Sequence, residues 1–218
     1  SPKLGRIYRE IEKNYSYEEE SSNRMLENTD EDGNSTLFEY EEGSNLLKSS
    51  FACENQDIKI REFRSYDEHG FLVSIIKDDG VSRNVKDMTS VNVRLETRFE
   101  IKKKGFGVGL PEVIEEGYVK TSPENFTPLK KCKLSYDANN QVSKKEFFDE
   151  DGVSQYSLYF TYDDMGNVTS TQNAIGQKNE SRYDIFGNKV FEKSSCPCCN
   201  IVTAYNTCNE KVSEEFVH

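Results

Sequence analysis

The sequence predicts an all-β chain built as a repeat array of antiparallel β-hairpins. Three observations predict it: a Tyr-Asp turn motif that recurs, period-two alternation between the motifs, and a polar composition rich in aromatics. Only 34% of the 218 residues are hydrophobic and 31% are charged, which is too polar for a thick globular core. Hydropathy alone would place the chain near the border of disorder. Against that stand 12 Tyr and 13 Phe, large side chains suited to covering a sheet face. A thin, wide β-structure reconciles the two.

The recurring motif is clearest in Tyr162-Asp163-Asp164-Met165-Gly166-Asn167-Val168 and Tyr183-Asp184-Ile185-Phe186-Gly187-Asn188-Lys189-Val190. Tyr66-Asp67-Glu68-His69-Gly70 is a third copy, intact through the glycine. Weaker copies begin at Tyr136-Asp137-Ala138-Asn139-Asn140 and at Tyr205-Asn206, and a looser one at Tyr40, with its glycine one residue early. Successive motif tyrosines are 26, 70, 26, 21 and 22 residues apart, so the long gap marks either an insertion or two decayed repeats.

Each part of the motif has a turn mechanism. An Asp opening a turn accepts hydrogen bonds from amides two or three residues on. A Gly three residues later supplies a positive φ that a Cβ resists, and Asn140 is expected to stand in where Gly is missing. The Tyr before the turn and the Val or Leu after it then fall on paired strands.

Between motifs the residues alternate. Tyr156, Leu158, Phe160 and Tyr162 form one stripe, and Cys132, Leu134 and Tyr136 another. Val91, Val93, Leu95, Phe99 and Ile101 form a third, expected to face inward with Thr97 as its single polar member. Turns at Asp78-Asp79-Gly80, Asp149-Glu150-Asp151-Gly152 and Ile175-Gly176 are expected to break the strands between motifs. Helix should be scarce; Ile7, Ile11 and Tyr15, four apart, mark one short candidate, or a frayed end.

Two adjacent intact motifs with an intervening turn ending at Gly176 resemble the YD repeat of Rhs proteins, teneurins and the shell-forming components of Tc toxin complexes. The strong copies cover residues 130–212, with an earlier pair over 36–80. Asp78–Val119 is similar to the inter-repeat insert of some bacterial Rhs proteins. The resemblance implies a YD-repeat strip, a segment of a larger hollow shell around a toxic or otherwise protected polypeptide. The residues that would carry the turn are Tyr66, Asp67, Gly70, Tyr136, Asp137, Tyr162, Asp163, Gly166, Asn167, Tyr183, Asp184, Gly187 and Asn188. It also implies secretion or display on a bacterial cell surface. The chain departs from the family in its 70-residue gap, in lacking the autoproteolytic Asp-Pro-x-Gly motif, and in being far too short to close a shell.

The expected organisation is an acidic N-terminal stretch (1–35), first YD-type repeats (36–80), an inter-repeat β insert (81–130) and a C-terminal YD-repeat array (131–218). Ser1 does not look like a native start, so the chain is expected to be an excised segment.

Charge and motif content exclude several functions. The net charge is −11 and the longest basic run is Lys102-Lys103-Lys104, the wrong field for nucleic acid or an anionic membrane surface. No apolar run approaches the length needed to span a bilayer. Cys196, Cys198, Cys199 and Cys208 form a thiol cluster with three readings: zinc, a disulfide, or incidental thiols; the spacing matches no standard paired knuckle. Cys53 and Cys132 sit beside apolar residues and are expected in the core. The acidic clusters Asp30-Glu31-Asp32-Gly33 and Asp149-Glu150-Asp151-Gly152 lack the ligand spacing of a calcium loop and are expected to be surface turns. Gly105-Phe106-Gly107-Val108-Gly109 lacks dinucleotide-loop spacing and is expected to be a flexible bend. With His69 in a turn and His218 as the last residue, a catalytic dyad is short of parts, so no enzyme and no cofactor is expected.

Two function classes remain. One is a structural shell segment whose partner is the rest of its own polypeptide or a toxin cargo. The other is an adhesion or carbohydrate-binding module for a glycan or cell-surface receptor, with Tyr159 as an exposed stacking platform.

Overall fold

The computed structural model describes residues 13–17, 24–120, 125–195 and 200–217, and among these the chain is all-β, without a helix. The strands are β1 (Asn14–Tyr17), β2 (Met25–Thr29), β3 (Ser35–Tyr40), β4 (Leu47–Glu54), β5 (Asp57–Tyr66), β6 (Leu72–Asp78), β7 (Arg94–Ile101) and β8 (Pro111–Val119). They continue as β9 (Phe126–Tyr136), β10 (Val142–Phe148), β11 (Ser154–Tyr162), β12 (Val168–Asn173), β13 (Lys178–Tyr183), β14 (Lys189–Lys193), β15 (Asn200–Tyr205) and β16 (Lys211–Val217). Sheet order is chain order from β1 to β16, so every strand pairs only with its sequence neighbours. The expected hairpin array is therefore observed. Tyr15, the last member of the candidate helix, lies in β1; Ile7 and Ile11 lie outside the described residues.

The chain divides into two compact units, Ser1–Phe99 with Glu116–Pro128, and Glu100–Glu115 with Leu129–His218. The first holds a small apolar core. Phe51 and Cys53 on β4 meet Phe63 on β5 and Ile76 on β6, with Leu37, Ile58 and Val85 packed around them. The rings of Phe51 and Phe63 meet edge to face, their centroids 5.8 Å apart. In the second unit the buried apolar residues include Cys132 and Leu134, so both core cysteines are placed as their neighbours suggested.

Period-two alternation sets which face is covered in β9, where Cys132 and Leu134 are less exposed than their neighbours, and at Phe160 in β11; earlier in β11 the expected stripe breaks, with Tyr156 49% exposed and Ser157 buried beside Leu158. At the start of β7 the phase is inverted, although Phe99 and Ile101 at its end remain less exposed than Glu100. Arg94 and Glu96 are buried, whereas Val93 (50% exposed) and Leu95 (42%) face out. The expected inward stripe is thus wrong over this stretch. The reason is ionic: Arg94 reaches Asp78, and Glu96 accepts from Ser74 and Arg98. Satisfied charges took the covered face from the aliphatic residues.

The motif tyrosines end β3, β5, β9, β11, β13 and β15. Across the long gap the chain makes four strands, β6 to β9, where the other gaps hold two. The extra hairpin turn is the Gly105–Gly109 segment. The Lys102 amide donates to Leu110 O (2.9 Å), Gly109 to Lys102 O (3.0 Å) and Leu110 to Gly107 O (3.1 Å), with all three glycines at positive φ. It is a bonded turn, not a flexible bend. The remaining length of the gap lies mostly in the irregular 79–93 segment. The gap thus holds one hairpin without the motif, rather than two decayed repeats.

Candidate functional site: the turn array and a buried arginine cluster

The predicted turn residues converge on one local structure, used again and again. In 162–168, Asp163 Oδ1 accepts from the amides of Met165 (3.0 Å) and Asn167 (2.9 Å), and Asn167 Nδ2 returns a bond to Oδ2 (3.0 Å). The Gly166 amide donates to Asp163 O (3.1 Å), and the Asp163 amide to Asn167 O (3.0 Å). This is a three-residue hairpin loop whose last residue takes positive φ and whose following strand carries a bulge. Gly166 has φ +87° and the pairing slips between Thr161 and Tyr162. Asp67, Asp137 and Asp184 accept the same two amides, as does Asn206 in the weak copy. Asn140 (φ 63°) and Asn209 (φ 66°) occupy the glycine position, as the sequence suggested for Asn140. Even-to-odd turns built on Asp30, Asp149 and Asn173 repeat the pattern, which explains the acidic clusters without a ligand.

At three of the turns these bonds favour the ionised carboxylate. Asp30, Asp163 and Asp184 lie below the usual carboxylate range, first because of the side-chain amide of Asn34, Asn167 or Asn188 and then through backbone amides.

The tyrosine of each motif does something sequence reasoning had not assigned. Its hydroxyl donates to the carbonyl of the first strand residue after the preceding odd-to-even turn. Tyr66 reaches Leu47 O (2.8 Å), Tyr136 Pro111 O (2.6 Å), Tyr162 Val142 O (2.8 Å) and Tyr183 Val168 O (3.0 Å). Tyr40 reaches Met25 O, the first residue of β2, at 2.9 Å, and Tyr205 reaches Lys189 O at a longer 3.5 Å. Burial pushes the hydroxyls of Tyr66, Tyr136 and Tyr162 up from their ordinary pKa. Each hairpin is thereby tied to the one before it.

A second constellation was missed altogether. Arg61 on β5 is fully buried and spends all five of its N–H donors. Nε and Nη2 clasp Asp78 (2.5 and 3.0 Å), while the remaining donors take the carbonyls of Ser82, Asn84 and Asp87. Arg94 Nε joins the same carboxylate at 2.8 Å. Asp78 therefore ends β6 as a buried carboxylate between two guanidiniums, and its Oδ1 also accepts from the Gly80 amide (2.9 Å), in the turn expected there. Arg61 pins the 79–93 segment across the sheet. Gly80 is required by contact: a Cβ there would run into the buried guanidinium of Arg61. Thr89 and then Ser82 hold the Asp87 carboxyl down to about 2.

The remaining candidates stay apart. Cys196, Cys198 and Cys199 lie outside the described residues, while Cys208 is an exposed free thiol in the Asn206 turn. His69 sits in the Asp67 turn, as expected. Tyr159 is exposed, with Lys144 Nζ 5.9 Å from its ring centroid. No group of three His, Cys, Asp or Glu able to share a metal ion occurs among the described residues.

No family model and no curated protein matches the sequence. Solved structures with a likeness to this chain include TcdB2-TccC3-TEV, at 12% identity and TM-score 0.41, covering 93% of this chain and 13% of that one. TcdB2-TccC3 without its hypervariable C-terminal region aligns at 11% identity and TM-score 0.38 over 88% of this chain and 12% of that one. The Photorhabdus luminescens Tc holotoxin pore aligns at 12% identity and TM-score 0.34 over 88% and 14%. The chain thus spans about an eighth of the length of the chains it resembles.

Proposed function

We propose that this chain is a non-catalytic structural segment of a secreted or surface-exposed YD-repeat protein, a run of hairpins in the wall of a shell that encloses or presents a toxin or effector polypeptide. The observation that carries the reading is the tyrosine tie, repeated from Tyr40 to Tyr205. It uses the motif residues to fasten hairpin to hairpin, which is the job of a wall. The motif Asp residues take backbone amides of their own turns and the side chains of Asn167 and Asn188 bond turn residues, so these groups do not converge on a reacting centre. Strands that bond only to chain neighbours make a strip that extends without redesign.

The test is electron cryomicroscopy of the complete polypeptide from which the segment comes, with limited proteolysis alongside. The expected result is a hollow body with these hairpins in its wall and the polypeptide it carries protected until the shell is opened. A segment standing as a separate domain, with that polypeptide digested as fast as when free, overturns the proposal.

A further inference from the structure

Arg94 lines a cavity of about 230 Å3 in the first unit, together with Met88, Val91, Val93, Tyr118 and Lys120. Its side chain is 1% exposed. Nε is used by Asp78 and Nη2 by Val85 O, leaving Nη1 without a hydrogen-bond partner among the described residues. An N–H that meets no protein acceptor beside a cavity is free to donate to an acceptor bound there.

The charge of the cavity wall points the same way. No carboxylate lines the cavity, and Lys120 adds a second cation at its side. Among the other residues named, three are aliphatic or thioether and one is aromatic, so a fully hydrated inorganic anion is a poor match.

We propose that this cavity binds a small organic carboxylate, its anionic end on Arg94 and Lys120 and its apolar body against Met88, Val91 and Tyr118. The proposal does not depend on the shell function. Two sources share this chemistry, a free acid and the C-terminal carboxylate of a polypeptide.

The experiment titrates benzoate, benzamide and inorganic phosphate into the protein and follows backbone amide shifts by NMR. Benzoate should shift the amides of Val91, Val93 and Val119 saturably, and bind at least about tenfold tighter than benzamide or phosphate, because only it offers both a charge and an apolar body. Lys120→Ala should weaken benzoate by about three- to tenfold through loss of one cation. Val93→Trp, at a half-exposed position, should fill the cavity and abolish the shifts. A peptide ending in a free phenylalanine carboxylate separates the sources: tighter binding than benzoate assigns the site to a chain end, weaker binding to a free acid. Equal binding of benzoate and benzamide overturns the proposal, as do shifts that neither substitution changes or no saturable shift at all. The comparison of ligands on the unaltered protein keeps the test decisive if a variant misfolds.

Discussion

Arg61 and Asp78 form a two-pronged ion pair from which neither side chain reaches solvent, and Arg94 shares the same carboxylate. Removing one partner of a buried pair leaves an uncompensated charge, at a cost of about 3–5 kcal/mol. Asp78→Ala strands two guanidiniums, whereas Arg94→Ala leaves the Arg61 pair intact. Urea unfolding should therefore show Asp78→Ala as the more damaging. Equal losses would mean that a single guanidinium carries the pairing.

At the turns, Gly166→Val and Gly187→Val should each cost roughly 1–3 kcal/mol, since both place a β-branched residue at positive φ. Asp164→Ala, on an exposed turn position, should be nearly silent. The three midpoints in one denaturation series check this, and uniform losses would show that turn geometry is not what the motif encodes.

Tyr162→Phe and Tyr183→Phe delete only the hydroxyls that bond Val142 O and Val168 O. Each should lose about 0.5–1.5 kcal/mol, the net value of one hydrogen bond. Hydrogen exchange should quicken in β12 for Tyr183→Phe and in β10 for Tyr162→Phe. Faster exchange confined to each tyrosine's own strand would dissociate the hydroxyl from the neighbouring hairpin.

Acid should loosen the array in a defined direction. Asp30, Asp163 and Asp184 have folded pKa values below the ordinary carboxylate value. Their contribution is present above the unfolded pKa, roughly pH 4, and is lost as pH falls through the depressed folded values. Urea midpoints should therefore fall between roughly pH 4 and pH 2. The double variant Asp163→Asn, Asp184→Asn should show a shallower fall, because Asn206 shows that an amide oxygen accepts the same two bonds. An unchanged slope would place the acid sensitivity elsewhere.

Association should begin at the ends of the strip. β16 pairs only with β15 among the described residues and exposes Val212 and Phe216. Unpaired edges with apolar side chains recruit strands. Light scattering in screening salt should show particle mass rising with concentration, and Phe216→Lys should suppress the rise. The strands that carry Tyr205 and Phe38, β15 and β3, are paired on both sides and offer no such edge.

How far the sequence foretold all this depended on the range of each interaction. The Asp163 and Asp184 turns are local: donor, acceptor and glycine lie within five residues, so their chemistry is visible in a short window. The tyrosine tie spans about 20 residues and left no trace in alternation, although its period did. Arg61, Asp78 and Arg94 were invisible because hydropathy reads a charged residue as exposed, and only their mutual satisfaction reverses that. Alternation in β7 was real, but period two states that a strand has two faces, not which of them is covered.

The spacing of the motif tyrosines carries a consequence for how such a chain changes length. Every motif tyrosine closes an odd-numbered strand, even across the long gap. A single added strand would reverse the running direction of everything downstream. It would carry each later Tyr-Asp turn to the opposite rim, away from the carbonyl its hydroxyl must meet. Growth and loss are therefore permitted two strands at a time, whereas loop residues, as in the 79–93 segment, are free to accumulate in any number. The hairpin between Tyr66 and Tyr136 that lacks the motif keeps this count, and with it the bond from Tyr136 to Pro111. The inheritable unit of the array is thus the strand pair, and the motif is replaceable punctuation within it.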